Sequence, residues 1–88
     1  MKVGYSKRFI NNLKKTEKRD PAIRNKLKKV VRQLQSGSHS KGMRLHKIST
    51  NEYEAWSVSL DMKMRALFIY VPEGIIFVNI GTHDEVYS

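Results

Sequence analysis

The spacing of the apolar residues changes once along this chain, and that change restricts the folds open to it. Up to residue 35 an apolar residue recurs every three or four positions, which is typical of helices with one buried side. After the polar stretch 36–42 apolar residues occur at every second position, which is typical of half-buried strands. Helices followed by strands indicate an α+β domain of two layers.

Two helices are predicted before the change, over about 7–18 and 21–35. Ser6 suits the N-cap of the first helix, and Asp20-Pro21 suits the start of the second, with Asp as N-cap and Pro at the first helical position. Gly37 is a natural helix end. The link between the helices is so short that they should form an antiparallel hairpin, preceded by a short strand at 2–5.

Four strands are predicted after the change, over 43–48, 53–60, 64–71 and 75–80, with turns at 50–52, 61–63 and 72–74. Such short links predict an antiparallel meander. The fold class is therefore α+β, with an N-terminal strand and a helical hairpin packed on one face of a β-meander sheet. Residues 1–88 are expected to form a single domain.

Positive charge is concentrated in the first half of the chain. Residues 1–47 contain fifteen Lys and Arg and two acids, whereas residues 48–88 contain two Lys and Arg and six acids. Clustered bases and a net charge of +9 favour a polyanionic partner, such as RNA, DNA or an acidic protein. A solvated basic helix face that only aids solubility is the alternative.

Several classes of site and location are disfavoured by the sequence. There is no cysteine, hence no disulfide or thiolate metal site, and there is no glycine-rich phosphate loop. The acids of the strand half are scattered, which disfavours a two-metal nuclease. No apolar run is long enough for a membrane span or a signal peptide. We therefore expect a cytoplasmic protein with no cofactor, no metal and no membrane partner.

The candidate catalytic residues are Arg65, His83, Tyr87 and His46. Arg65 lies among apolar residues of a strand, where it either holds a phosphate or pairs with Asp61 or Glu54 on an edge strand. His83 is in a predicted loop and is either an acid or base or plain surface.

The other two candidates also have alternatives. Tyr87 either stacks on a base or closes the core, and His46 faces either nucleic acid or the helices. His39 is interpreted as a surface residue. The basic residues expected to contact RNA are Arg44, Lys47, Lys41, Lys63, Lys28 and Lys29.

Such a set suits RNA cleavage without a metal. The 2′-hydroxyl is then the nucleophile, and the reaction needs a proton acceptor, a proton donor and a cation at the phosphate. Arg65 fits the cation and a histidine fits either proton-transfer role. The residues do not show which of His46 and His83 acts.

Three segments resemble the RelE/ParE toxins of bacterial toxin–antitoxin pairs. They are the early SKRF…LKK helix, the strand pair EAWSVSLDMKMRALFIY around Arg65, and the closing segment IIFVNIGTHDEVY. Their order and spacing are more specific than any one of them, and the resemblance spans essentially the whole chain. It implies a RelE-like two-layer fold.

The resemblance also implies a function. In the ribonuclease branch of that family, toxins cut mRNA in the ribosomal A site. Arg65 matches the family's phosphate-binding arginine, His83 lies at a catalytic position, and Tyr87 matches the tyrosine of E-V-Y. Ser57 and Ser59 stand where some members have lysines, so the general base would be a histidine. A C-terminal helix seen in some members is expected to be absent.

Partners follow from the same resemblance. It implies the ribosome, mRNA and a cognate antitoxin, and an acidic antitoxin segment would suit the basic half of the chain. The ParE branch, a non-enzymatic inhibitor of DNA gyrase, is the first alternative function. A nucleic-acid-binding module without toxicity is the second.

Overall fold

A computed structural model describes residues 1–38, 41–49 and 51–87, so the expectation for His39 lies outside the described residues. Helices and strands follow in the order predicted, with a short 3-10 turn at Lys41–Met43 before the second strand. The elements are β1 (Lys2–Tyr5), α1 (Lys7–Arg19), α2 (Ile23–Ser36), β2 (His46–Ser49), β3 (Glu54–Ser59), β4 (Met64–Val71), β5 (Gly74–Thr82) and α3 (His83–Tyr87).

The five strands form one sheet in the order β1-β5-β4-β3-β2. Strands β2 to β5 pair antiparallel with their neighbours, so the predicted meander is confirmed. Strand β1 lies at the opposite edge from β2 and runs parallel to β5, with Lys2 beside Gly74. The α+β fold class expected from the sequence is confirmed.

Capping residues set the ends of the helices, and the predicted start of the second helix was wrong. The Ser6 hydroxyl accepts a hydrogen bond from Phe9 N at 3.1 Å and caps α1, and Gly37 ends α2 with φ 75°. Helix α2 begins at Ile23 rather than at Pro21. Asp20 is the C-cap of α1, and its carboxylate accepts from Ala22 N at 3.1 Å in the turn that joins the helices.

One main core lies between the helical hairpin and the sheet. Its centre is a group of three phenylalanines with no exposed surface, whose ring centroids are 5.3–5.7 Å apart where they pack: Phe9, Phe68 and Phe77. Helix positions with three- and four-residue spacing complete it: Leu13, Ile23, Leu27, Val30 and Leu34. The apolar residues of the helical pattern and those of the strand pattern therefore pack together in this core.

The sheet is also covered on its other face, although the sequence predicted a covering layer on one face only. Ala55, Leu67 and Val86 form a second buried cluster there, with Tyr53 and Tyr87 packed against it. Val86 belongs to α3, which crosses this face. The expectation that no helix follows the last strand is therefore wrong, and His83 is the first residue of that helix rather than a loop residue.

Helix α3 starts with a capping box. Thr82 N donates to Glu85 Oε1 at 2.8 Å, and Glu85 N donates to the Thr82 hydroxyl at 3.4 Å. The Thr82 backbone N–H, helped by its hydroxyl and by the charge of Arg19, lowers the pKa of the Glu85 carboxyl despite the opposing effect of burial. A Cβ on Gly81 would lie 2.9 Å from Glu85 Cβ, so glycine lets the helix fold back onto the sheet.

Strand β2 is shorter than predicted. It begins at His46 rather than at residue 43, because residues 41–43 form the 3-10 turn and Met43 turns into the core. Arg44 follows in the left-handed region, with φ 47°. No helix in the described part of the chain is long and apolar enough to cross a membrane.

An ion-pair group joins the helical hairpin to the β3–β4 turn. Lys26 Nζ lies 3.0 Å from Asp20 Oδ2 and 2.7 Å from Asp61 Oδ2. Burial raises the pKa of Asp61, but hydrogen bonds from Lys26 and from the backbone N–H groups of Met64 and Lys63 outweigh it, so the net pKa is lowered. The turn is therefore held by an ionised carboxylate.

This group predicts an acid-sensitive contribution to stability. A lowered folded-state pKa stabilises the fold above the unfolded pKa, and the contribution is lost as pH falls through the folded value. Below about pH 5, the urea concentration at the unfolding midpoint should fall more steeply with decreasing pH in the wild type than in Asp61→Asn. Equal slopes for the two proteins would show that Asp61 carries no such linkage.

Candidate active site

The candidate residues gather on the sheet face that α3 crosses. Along β4, Met64, Ala66 and Phe68 enter the main core, so the alternate residues Arg65 and Leu67 point to the other face. On β3 the same alternation gives this face Ala55, Ser57 and Ser59. Strand β2 brings His46 to the edge beside Ser57, its partner in the pairing with β3.

Arg65 lies on the central strand of the sheet. Strand β4 is third of five, so Arg65 is not on an edge strand, and its side chain is partly buried. Its Nη1 donates to the buried Ser59 hydroxyl at 3.1 Å. The two carboxylates considered as partners are engaged elsewhere, Asp61 with Lys26 and Glu54 with Lys47 at 3.1 Å.

No carboxylate of residues 1–38, 41–49 and 51–87 forms an ion pair with Arg65. The ion-pair interpretation is therefore wrong for the described part of the chain. The guanidinium is therefore not neutralised by a described carboxylate, and an arginine fork of this kind can hold an anion by two parallel hydrogen bonds.

Tyr87 connects α3 to β2 and β3. Its hydroxyl donates to the Ser57 hydroxyl at 2.5 Å and lies 3.4 Å from His46 Nε2. Ser57 has no exposed surface, so this contact satisfies a buried polar group. The tyrosine packs against the second cluster while its hydroxyl reaches the candidate site, so both of its predicted roles are compatible.

The hydrogen bonds of His46 determine its tautomer. Nδ1 lies 2.8 Å from the carbonyl oxygen of Arg44, and a carbonyl oxygen only accepts, so Nδ1 carries a proton. In the neutral ring Nε2 is then an acceptor. This nitrogen lies 3.4 Å from the Tyr87 hydroxyl, on an exposed side chain.

His83 stands on the outer side of α3. Its side chain is 66% exposed, and its ring packs edge-on against the ring of Tyr87 with centroids 4.3 Å apart. Its Nδ1 lies 3.5 Å from the Asp84 carboxylate. Tyr87 therefore touches both histidines, because its ring is also 6.5 Å from that of His46.

The basic residues expected to contact RNA divide into two groups. Four are close to candidate residues in the sequence: Lys41, Arg44, Lys47 and Lys63. Lys47 lies opposite Trp56, which packs on the main core, so its side chain is on the other face from His46, and it pairs with Glu54. Lys63 lines a pocket with Asp20 and Lys26 of the helical hairpin. Lys28 and Lys29 are on α2, in the layer on the other side of the sheet. The structure does not bring these two to the candidate site.

Sequence reasoning missed the roles of Ser57 and Ser59. Both were considered only as replacements for lysine, but Ser57 positions Tyr87 and Ser59 positions Arg65. The alternation along β3 already placed both on the face of Arg65, and two small hydroxyls beside a buried charge were the available signal. Within the described residues no three His, Asp or Glu side chains are grouped to hold a metal ion.

Loss of the Tyr87 hydroxyl should leave Ser57 unsatisfied. We expect Tyr87→Phe to lower the free energy of unfolding by about 1–3 kcal/mol, since a buried hydroxyl loses its partner. Ser57→Ala combined with Tyr87→Phe should cost less than the sum of the single changes. Additive effects in urea unfolding would show that the two hydroxyls do not interact.

A second surface lies on the helical side, between α1 and α2. It is a groove of about 600 Å³ with an apolar floor that includes Ile10, which is 41% exposed. Its rim carries four cationic side chains: Lys14, Arg24, Lys28 and Arg32. We call it the hairpin groove.

Comparison with known proteins identifies the fold. No protein-family model matches the sequence, and no curated protein matches it. Several solved structures are similar over nearly the whole of both chains. YafQ from the E. coli DinJ–YafQ complex has a TM-score of 0.83 at 18% identity, covering 99% of this chain and 98% of that one.

Two further structures show the same likeness. A metal-bound toxin from Helicobacter pylori has a TM-score of 0.83 at 19% identity, with 99% of each chain covered. The YoeB–YefM complex from Staphylococcus aureus gives 0.73 at 11% identity, with 94% of this chain and 97% of the other covered. The RelE-like fold expected from the sequence is confirmed.

Proposed function

We propose that this chain, which has the RelE-like fold, is the toxin of a toxin–antitoxin pair and cuts mRNA without a metal. The observation that carries the proposal is that Arg65, His46 and Tyr87 share the sheet face that α3 crosses, with His83 in contact with Tyr87. Cleavage of a phosphodiester by the 2′-hydroxyl requires a cation at the phosphate, a proton acceptor and a proton donor. An arginine without an ion pair and two histidines can supply these three groups.

His46 is assigned the role of general base. Its Nδ1–H is held by the Arg44 carbonyl, so Nε2 accepts the proton of the 2′-hydroxyl. The 2′-oxygen then bonds to phosphorus, and Arg65 stabilises the extra negative charge on the phosphoryl oxygens. Tyr87 and Ser59 act as positioning residues for these two groups.

His83 is assigned the role of general acid. The bond from phosphorus to the 5′-oxygen breaks, and protonated His83 gives that oxygen a proton. The products are a 2′,3′-cyclic phosphate and a 5′-hydroxyl, with one proton taken and one given. The exposure of His83 and its contact with the ring of Tyr87 support this role.

An acidic protein segment is the proposed antitoxin contact. YafQ and YoeB are found in complexes with DinJ and YefM. The hairpin groove of this chain, with its apolar floor and four cationic rim residues, suits an amphipathic segment with acidic flanks. The exposed bases Lys41, Arg44 and Lys63 lie outside this groove and are available to RNA, and the ribosomal A site in the cytoplasm is the proposed place of action.

Induced expression of the chain in bacteria tests whether it is a toxin that cuts mRNA. We expect growth to stop and primer extension on a reporter mRNA to show discrete breaks, while His46→Ala and His83→Ala each leave far fewer. General acid–base groups are worth about 100-fold or more. Lys18→Ala, which removes an exposed cation from α1, is the matched control and should leave the breaks unchanged.

Two outcomes would replace the proposal. Growth arrest with intact mRNA and broken DNA would favour inhibition of DNA gyrase. Binding of RNA with no arrest and no cleavage would favour a nucleic-acid-binding module.

A further inference from the structure

The hairpin groove brings exposed apolar side chains together in one concave surface. Tyr5 is 43% exposed and Ile10 is 41% exposed, and both line the groove. They are two of the five large apolar side chains that are exposed in the described part of the chain. The buried side chains of Leu13 and Leu27 continue the floor between them. Apolar side chains that are exposed in one surface are typical of a contact with another protein.

The charges that line the groove have one sign. None of the described residues that line it is acidic. Four are cations: Lys14 on α1, and Arg24, Lys28 and Arg32 on α2. Arg24 is paired with Glu17 at 2.6 Å, but no carboxylate of the described residues forms an ion pair with the other three. The groove therefore presents uncompensated positive charge to an acidic partner.

The spacing of the cations on α2 matches that of a helical partner. Arg24, Lys28 and Arg32 follow one another at intervals of four residues, so they form a row along α2 about 6 Å apart. Acidic side chains at intervals of four residues on a second helix have the same spacing. The floor lies between two helices, and a groove of this kind receives the apolar ridge of a third helix. An amphipathic helix with acids along its flank therefore fits both the floor and the rim.

The floor of the groove disfavours RNA as its occupant. Phosphates require water or hydrogen-bond donors, and they lose water at an apolar surface without gaining a bond. The floor instead presents aliphatic carbon: Ile10, Leu13, Leu27 and Val31. Apolar side chains of a protein segment gain from burial against such a floor.

The hairpin groove and the candidate active site lie on opposite sides of the sheet. Phe9, Leu13 and Leu27 line the groove and belong to the main core on the helical side. Tyr87 packs against the second cluster, on the face that α3 crosses. Among the described residues that line the groove, none is a candidate site residue. A segment that fills the groove therefore leaves Arg65 and Tyr87 uncovered.

We propose that the hairpin groove binds an acidic amphipathic helix of a partner protein, and that this helix leaves the candidate active site open. The identity of the helix as an antitoxin segment rests on the proposed function, whereas its chemistry and its conformation rest on the groove. The bound helix and a short RNA can then occupy the protein at the same time.

A synthetic peptide tests the chemistry of the occupant. The probe is a helix-forming peptide of about 20 residues, with leucine at the a and d positions of a heptad and glutamate at e and g. The control peptide has lysine in place of glutamate. Fluorescence anisotropy at about 0.15 M salt, where screening acts within about 8 Å, should show at least about tenfold tighter binding of the glutamate peptide. Equal affinities for the two peptides, or displacement of the glutamate peptide by a short 2′-O-methyl RNA, would overturn the proposal.

Two double variants with the same change of charge locate the bound peptide. Lys14→Glu/Lys28→Glu reverses two cations that line the groove, and Lys15→Glu/Lys29→Glu reverses the next residue on each helix, outside the groove. All four side chains are exposed, so both proteins should fold, which circular dichroism verifies. We expect the first variant to bind the glutamate peptide at least about fivefold more weakly than the second. Equal losses would show that total charge, and not the groove, attracts the peptide.

Amide chemical shifts of the wild-type protein locate the peptide without any substitution. Saturation with the glutamate peptide should shift the amide signals of Ile10, Leu13 and Val31 and leave those of Arg65 and Tyr87 unchanged. Shifts at Arg65 and Tyr87 would overturn the separation of the groove from the candidate active site.

The two proposals fail differently, because neither peptide measurement involves RNA cleavage. A chain that binds the peptide in the groove but never cuts RNA would support the groove and reject the ribonuclease. A chain that cuts mRNA but does not distinguish the two peptides would do the reverse.

Discussion

Arg65→Ala is expected to lower the rate of RNA cleavage by about 100- to 1,000-fold, the loss seen when one preorganised donor to a developing negative charge is removed. The guanidinium sits on the central strand, partly buried, with Ser59 as its hydrogen-bond partner and no ion pair within the described residues. Its charge is therefore available to the substrate instead of being cancelled by a neighbouring carboxylate.

Single-turnover cleavage of an mRNA on the ribosome measures this effect. Arg65→Lys keeps the charge but loses the planar fork, so its rate should fall between those of wild type and Arg65→Ala. Lys18→Ala again controls for the general loss of one cation. A folded Arg65→Ala protein that cuts as fast as the wild type would remove Arg65 from the proposed mechanism.

Phe77→Ala should lower the free energy of unfolding by about 3–5 kcal/mol, the usual range for deletion of a buried phenylalanine. The ring has no exposed surface and packs against Tyr5, Phe9 and Phe68, with centroids 5.3–5.8 Å away. It therefore joins β1, α1 and β4 to β5. Loss of the ring leaves a cavity where four elements meet, and the surrounding backbone cannot close it fully.

Urea unfolding followed by circular dichroism gives the value. For a domain of 88 residues the expected loss is a large part of a total of roughly 4–13 kcal/mol. Met62→Ala is the control, since that side chain is 83% exposed and should change stability by no more than about 0.5 kcal/mol. Similar midpoints for the two variants would contradict the position of Phe77 at the centre of the core.

Most of the fold was predictable because its signals are local. The helix spacing of Leu27, Val30 and Leu34 and the alternation of Trp56 and Val58 each identify an element and its buried side. Helix α3 was not predicted because its five residues are too few to show the repeat of apolar residues that identifies a helix. Its signal was the capping box Thr82 to Glu85, which does not depend on length.

The site was predictable only as a set of residue types. Arg65 and His46 could be named from the sequence, but their meeting depends on strand pairing over long separations. The alternation that placed Ser57 and Ser59 beside Arg65 was visible, whereas the hydroxyl of Tyr87 reaching Ser57 was not. Lys28 was grouped with the RNA contacts because charge along a sequence does not say which layer bears it.

The parallel pairing of β1 with β5 has a consequence for the order in which the molecule folds. Lys2 meets Gly74 only after nearly the entire chain between them has been made, and contacts of such separation slow folding. His46, Arg65, His83 and Tyr87 all lie in the later half, and α3 closes over the sheet last along the chain. The assembled face therefore cannot form on a nascent chain until the segment up to Tyr87 has been synthesised, so each copy acquires this face after its main core can already have formed.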